Sequence, residues 1–395
     1  MPRATVILCD YDAIKEALVT KDANHRCLLP PESLLQKELQ TGVMLSDGEV
    51  WRVQRRVSLR IFREFGMGKN VMEQQIQRSI DEMMEQLRLT NDGNTPFDMN
   101  LPIQLCVGNV IHEMLFGYHF KYNDAEKFQY FLGKLYKHLR ITKDNKWVLL
   151  INNWPWLKNF PIVGQKGFHD PIKNISEYQD FIDDEVKRAS LTYDPQQRPA
   201  SFVHAYLREM EINPDSGLDH NNLVALAIDF WTAGMDTTAT TIRWAIVYLM
   251  KYPEVQEKMR DEINAVVGKD RQISMTDKPQ MPYFVAAIHE IQRKCNMLPF
   301  TLSHVYTTIG GKYIPKNTIM MPQLWSVLKD DPEFVDPEEF RPERFLEADG
   351  KTFNKSVIEK NIAFSVGKRV CIGEGLARLE LFLIIGSLLQ KYKFQ

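Results

Sequence analysis

The sequence predicts a mainly α protein with small β-sheets, an α+β fold in one helix-rich unit. Three observations carry that expectation. Apolar residues recur at three- and four-residue spacing across Glu64–Leu89, Leu101–Leu115, Glu126–Ile141 and Pro171–Ala189. The segment Leu218–Lys251 has near-continuous helical potential over about 33 residues, roughly 50 Å at 1.5 Å per residue, enough to cross a whole domain. Extended pieces, by contrast, are short and few.

Taken in order, the chain opens with a strand at Thr5–Cys9 that leads directly into a helix, without the basic start and long apolar run of a signal peptide. The helical segments follow. Short strands are expected around Ser303–Thr308 and Lys312–Ile319, with Gly310–Gly311 as the turn between them. Beyond Pro322, Pro332, Pro337 and Pro342 prevent long helices. The apolar run Leu381–Leu389 is half the length of a membrane span and reads as a buried helix. No repeat, low-complexity tract or polar linker marks a boundary, so residues 1–395 are expected to form a single domain.

Composition narrows the function. The 395 residues carry 49 basic and 51 acidic side chains, a net charge of −2, which excludes polyelectrolyte binding to nucleic acid as the main activity. The five cysteines (Cys9, Cys27, Cys106, Cys295, Cys371) are scattered, with neither disulfide-framework nor zinc-site spacing, and point to a reducing compartment.

Chemistry concentrates in four places. In FSVGKRVCIGEGLARLELFL, Phe364–Leu383, Cys371 lies between Gly367 and Gly373 and just before a helix expected to start near Glu374. A large planar ligand can approach a backbone so stripped of side chains, and the free N–H groups of a helix start favour a thiolate that binds iron. Arg369 offers a fixed cation suited to a carboxylate. A lone G-x-x-x-C-x-G is more often a buried cysteine in a capping turn; the full F-x-x-G-x-R-x-C-x-G pattern reverses that preference. In the long helix, AGMDTTATT (Ala233–Thr241) is polar amid apolar turns. Thr237 is placed to bond back to the Ala233 carbonyl, opening the ladder beside room for water or dioxygen, although an exposed threonine-rich face fits the same residues. Glu290 and Arg293 share a helix face, which alone describes an ordinary surface pair. Finally, WRVQRRVSLRIFR puts Trp51 and Arg55 on one face and Arg52, Arg56, Arg60 and Arg63 on another, a pattern also compatible with plain solvent exposure.

Together these segments resemble the cytochromes P450, in particular the animal microsomal branch (family 2-like), over nearly the whole chain. The resemblance implies a haem-thiolate monooxygenase that inserts one atom of O₂ into lipophilic substrates (xenobiotics, fatty acids or steroids), with electrons from NADPH through NADPH-cytochrome P450 reductase. Its cofactor is then haem b, with Cys371 as the axial metal ligand. Asp236 and Thr237 take catalytic proton-delivery roles. Trp51, Arg55, His304, Arg369, Phe364 and Arg26 become cofactor-binding residues, and Glu290, Arg293 and Arg344 (in P-E-R-F) a structural triad below the haem loop. Ala233, Leu298 and Leu302 face the substrate, and Thr232 stands where close relatives commonly have glycine. The remaining arginines, with Lys368, give a cationic face to an acidic electron donor. Trp147–Gly164 corresponds to a loop region able to dip into a bilayer, which places the protein on the cytoplasmic side of the endoplasmic reticulum membrane. Measured against the family pattern, the chain lacks the N-terminal membrane anchor, the first helix and opening strand, and the C-terminal strands; without an anchor, a cytoplasmic location also fits. Two alternatives stand beside this reading: a truncated haem-binding protein without turnover, and a haem-thiolate peroxide isomerase, against which the Asp236–Thr237 pair argues.

Overall fold

In the computed structural model the chain starts with β1 (Thr5–Leu8), which runs into α1 (Tyr11–Val19). The structure describes residues 4–19, 25–26, 40–65, 70–89, 95–122, 125–143, 145–301, 303–304, 307–315 and 318–395. Helix α2 (Gly48–Glu64) buries Trp51, Gln54, Val57, Ser58, Ile61 and Phe62 and leaves Arg52, Arg56, Arg60 and Arg63 exposed, the two-faced arrangement that its spacing dictates. The single helical stretch expected over 64–89 is divided: α2 ends at Glu64, and α3 spans Asn70–Arg88. Helix α4 (Asn100–Phe116) is buried on nearly all sides and stops at Gly117, whose φ of 86° closes the last turn in the left-handed region.

After α5 (Glu126–Lys143), the segment expected as a loop is largely helical. Asn145 accepts a bond from the Trp147 N–H and starts α6 (Lys146–Asn153); a 3₁₀ turn at Pro155–Asn159 and α7 (Pro161–Gly164) follow. The capping asparagine supplies the acceptor that the first turn needs. Trp154, Trp156, Phe160 and Ile162 are exposed there. Next come α8 (Asp170–Leu191) and α9 (Phe202–Ile212), the latter capped by Ser201.

The central element is α10 (His220–Lys251), 32 residues capped by Asp219. It packs against α4, α8 and α15 (Glu374–Lys391), and against α12 (Pro282–Cys295), which follows α11 (Pro253–Val266). A Cβ at Gly234 would lie 2.5 Å from the Ile111 side chain, so the close approach of α10 to α4 requires a glycine there. Strands β2 (Ser303–His304) and β5 (Ile319–Pro322) join β1 in a sheet of order β1-β5-β2, with β1 parallel and β2 antiparallel to β5. Strands β3 (Thr307–Ile309) and β4 (Lys312–Ile314) form a hairpin turning at Gly310–Gly311, both at positive φ. Helix α13 (Leu324–Asp330) ends two residues before Pro332, and the six-residue α14 (Lys355–Lys360) runs between Asn354, whose side chain accepts the Val357 N–H, and Asn361. No described helix is long and apolar enough to cross a membrane.

Two apolar clusters hold these elements. The larger runs through α2–α5, α8–α12 and α15; the smaller joins α1, the sheet, α13 and α14. Helix α12 contributes to both, through Ala287 and Ala286 respectively.

Within the larger cluster, His112 Nδ1 accepts a bond from Trp231 Nε1 at 3.2 Å. Burial first, and nearby Lys127 and Arg188 next, push its pKa down to about 3. The folded state therefore takes up this proton less readily than the unfolded one, so the group's stabilisation is complete above about pH 6.5 and is lost as pH falls toward 3. Between pH 7 and 5 the wild type should lose about 2 kcal/mol more than His112→Gln, which keeps an acceptor for Trp231. Equal losses in urea unfolding would discard this assignment.

Candidate active site

The loop Phe364–Gly373 is shaped by its docking on α1. Ser365 and Gly367 have φ of 64° and 76°, and a Cβ at Gly367 would lie 2.3 Å from the Leu18 carbonyl oxygen. A backbone oxygen cannot yield that space, so only glycine fits. The Cys371 N–H donates to the Phe364 carbonyl at 3.0 Å, closing the loop, and Arg55 Nη2 donates to the Val370 carbonyl at 2.7 Å. Phe364 lies under the Arg378 guanidinium at 5.1 Å. Cys371 is exposed at the mouth of this loop.

One expectation about that cysteine needs correction. The helix start was expected to favour the thiolate, yet the thiol's pKa is raised, because surrounding protein atoms desolvate the sulfur more than its neighbours stabilise the anion. The Gly373 and Glu374 N–H groups and Arg55 act in the expected direction, while the Glu374 carboxylate opposes them. A bound metal would supply the missing stabilisation, since a coordinating thiol loses its proton outright.

Beside the cysteine, Trp51 lies between two cations: the Arg369 guanidinium is 4.3 Å and that of Arg55 5.8 Å from its ring. Arg369 donates to the Val43 and Ser46 carbonyls at 3.0 and 2.6 Å, and Arg26 Nε to the Met44 carbonyl at 3.1 Å. Burial lowers the pKa of all three arginines; Arg369 is lowered further by Arg26 and Arg55, and Arg26 by Arg55. Asp47 and Asp229 offset part of this at Arg369, and an anion bound among the three guanidinium groups would offset more. Trp51 Nε1 is buried without a hydrogen-bond acceptor among the described residues. A donor awaiting an acceptor amid three crowded cations, next to an open thiol, fits an iron porphyrin with two carboxylates.

The segment Thr41–Ser46 above this cradle is fixed by a residue that the sequence reading did not single out. Asp229 on α10 accepts the Val43 and Met44 N–H groups at 2.7 and 2.9 Å, and Asn222 accepts that of Gly42 at 3.1 Å. A lone carboxylate inside LVALAIDFW was the available signal, because a buried charge needs dedicated donors.

On α10, Thr237 Oγ1 donates to the Ala233 carbonyl at 2.7 Å, as its spacing predicts. The expected opening of the ladder is absent: α10 is continuous, and the hydroxyl adds a bond to a carbonyl that has two lone pairs. Asp236 accepts from Tyr136 at 2.5 Å, with Arg243 Nη2 3.7 Å away. Thr232 hydrogen-bonds Tyr178. Ala233 and Leu298 are exposed; Leu302 lies outside the described residues, as does the side chain of His304, whose backbone is in β2.

The pair on α12 is not a surface contact. Glu290 is fully buried and accepts Arg293 Nε and Nη2 at 2.7 and 2.8 Å, Arg344 Nε at 3.2 Å and the Arg341 N–H at 3.0 Å. Both guanidinium groups spend their other donors on backbone carbonyls: Arg293 on Leu328, Pro337 and Glu339, and Arg344 on Val335, Asp336 and Glu339. This knot ties α12 to the loop carrying Arg344.

A thiol presented on a tight loop beside three arginines and an indole N–H, in a fold whose long helix carries a threonine bonded back onto it, meets the requirements of a haem-thiolate protein. A family model described as Cytochrome P450 matches residues 1–395. The chain is 39% identical over 405 residues to cytochrome P450 2E1 of Sus scrofa, covering 100% of this chain and 78% of that one. It is 36% identical over 400 residues to cytochrome P450 2J3 of Rattus norvegicus (99% and 77%). To cytochrome P450 2J2 of Homo sapiens it is 35% identical over 401 residues, with the same coverage. The chain belongs to the cytochrome P450 family. It is a monooxygenase that uses haem b and inserts one atom of O₂ into lipophilic small molecules.

Proposed function

We propose that Cys371 is the haem's axial ligand, that Trp51, Arg55, Arg369 and Arg26 hold its propionates with His304 as a further contact, and that Phe364 supports the ligand loop. The observation that carries this reading is the buried, acceptor-free Trp51 Nε1 among three arginines whose charges oppose one another, beside Cys371. When bound, the haem supplies the electron transfer and oxygen activation that no amino-acid side chain provides. Thr237, whose hydroxyl donates to the Ala233 carbonyl, and Asp236, held by Tyr136, are the two side chains of α10 that would deliver protons. Ala233 and Leu298, both exposed and apolar, would contact a lipophilic substrate, as would Leu302, which lies outside the described residues.

Electrons reach this site from NADPH through a flavin-containing P450 reductase. Arg52, Arg56 and Arg63 on α2, and Lys368 on the cysteine's loop, are exposed cations suited to an acidic donor. The exposed Trp154, Trp156, Phe160 and Ile162 support contact with the cytoplasmic surface of the endoplasmic reticulum membrane. Residues 1–395 act as one domain, a reading supported by the apolar clusters that α12 bridges. The test is the optical spectrum of the haemin-reconstituted protein, reduced and exposed to CO. A red-shifted Soret band, with NADPH-dependent oxidation of a lipophilic probe in the presence of reductase, is the expected result. A protein that stays colourless after reconstitution would overturn the proposal.

A further inference from the structure

Nothing in the resemblance assigns a role to Tyr136 or Gln104, yet the structure brings both to Asp236. Gln104, buried on α4, donates its amide N–H to the Tyr136 hydroxyl at 2.5 Å, and that hydroxyl, on α5, donates to Asp236 Oδ1 on α10 at 2.5 Å. The direction of the chain is forced: an amide NH₂ only donates, so the hydroxyl's single proton goes to the carboxylate. Burial and then the Asp236 bond push the Tyr136 pKa up to about 12, so it remains a donor near neutrality. Arg243, two helical turns beyond Asp236, is steadied by Asn100 at 3.2 Å and Thr240 at 2.6 Å and completes the surround. Asp236 is thereby aimed toward α4 and α5, while its neighbour Thr237 is bonded along α10.

We propose that Tyr136, backed by Gln104, is a positioning residue that fixes the Asp236 carboxylate for proton handling beside Thr237. This rests on the assignment of proton handling to Asp236. The hydroxyl controls which way the carboxylate points and how readily it exchanges protons; the tyrosine ring merely packs.

The variants Tyr136→Phe, Asp236→Asn, Asp236→Ala and the double mutant of Tyr136→Phe with Asp236→Ala separate these roles. In thermal unfolding, Tyr136→Phe should lower the midpoint by about 2 °C in the wild-type background and by clearly less in an Asp236→Ala background, where only the Gln104 bond to the hydroxyl remains to be lost. Additive shifts would show that the hydroxyl is not coupled to the carboxylate and would overturn the proposal. In the reductase-coupled reaction, with 7-ethoxycoumarin as the probe, Tyr136→Phe should reduce product formed per NADPH several-fold at unchanged KM and unchanged CO spectrum. Uncoupling by Asp236→Asn but not by Tyr136→Phe discards Tyr136 alone. If Asp236→Asn leaves coupling intact, the proton-handling reading of Asp236 fails, and the proposal with it.

Discussion

Replacing Cys371 with alanine should abolish the red-shifted CO spectrum and reduce NADPH-dependent product to background, while leaving the polypeptide folded. The two halves of this expectation have different causes. As a residue Cys371 is exposed and belongs to neither apolar cluster, so the unfolding free energy should stay within about 0.5 kcal/mol of wild type. The chemistry depends on it entirely, because no other side chain on the Phe364–Gly373 loop offers a soft anionic ligand. The cradle of Trp51, Arg55 and Arg369 is untouched, so the variant should still take up haemin, with a spectrum lacking thiolate character. A Cys371→Ala protein that kept the shifted band would mean that another residue holds the iron.

Glu290→Ala should be more damaging to the fold than any change at the cysteine. The carboxylate is the counter-charge of both Arg293 and Arg344. Its loss leaves two guanidinium groups buried against one another with only carbonyl dipoles around them. Such a vacancy costs about 3–5 kcal/mol, a large part of the roughly 5–15 kcal/mol that keeps a typical protein folded. The Arg341 N–H also loses its acceptor. Glu290→Ala should therefore accumulate poorly as soluble, haem-loaded protein and unfold at much lower urea. Glu290→Gln, which retains one acceptor oxygen and the volume, should fall between it and wild type. An alanine variant with a wild-type urea midpoint would show that the two arginines are satisfied by carbonyls alone.

These two sites were legible in the sequence to different degrees. Cys371 sits in a local pattern whose members touch through bonds spanning a few residues, so spacing alone shows the loop and the helix start at Glu374. The Thr237 bond to Ala233 is legible for the same reason, being one helical turn long. The Glu290 knot is not local: Arg344 is 54 residues away along the chain, and only the family resemblance joined it to the pair on α12. Asp229 and Tyr136 escaped both routes, because their partners lie 185 and 100 residues distant and neither falls within a motif. Helical character around Trp147 was missed because prolines and tryptophans obscure periodicity, whereas the deciding cap is a single asparagine.

The sequence by itself determined the helix-rich architecture, the presentation of the thiol and the two faces of α2, all consequences of periodicity, capping and glycine placement within a few turns. Only the tertiary structure decided where charge rests: that desolvation outweighs the helix start at Cys371, that three arginines crowd one indole, and that Asp236 faces Tyr136. Burial and long-range contact set electrostatic energies, and both depend on which distant segments the fold brings together.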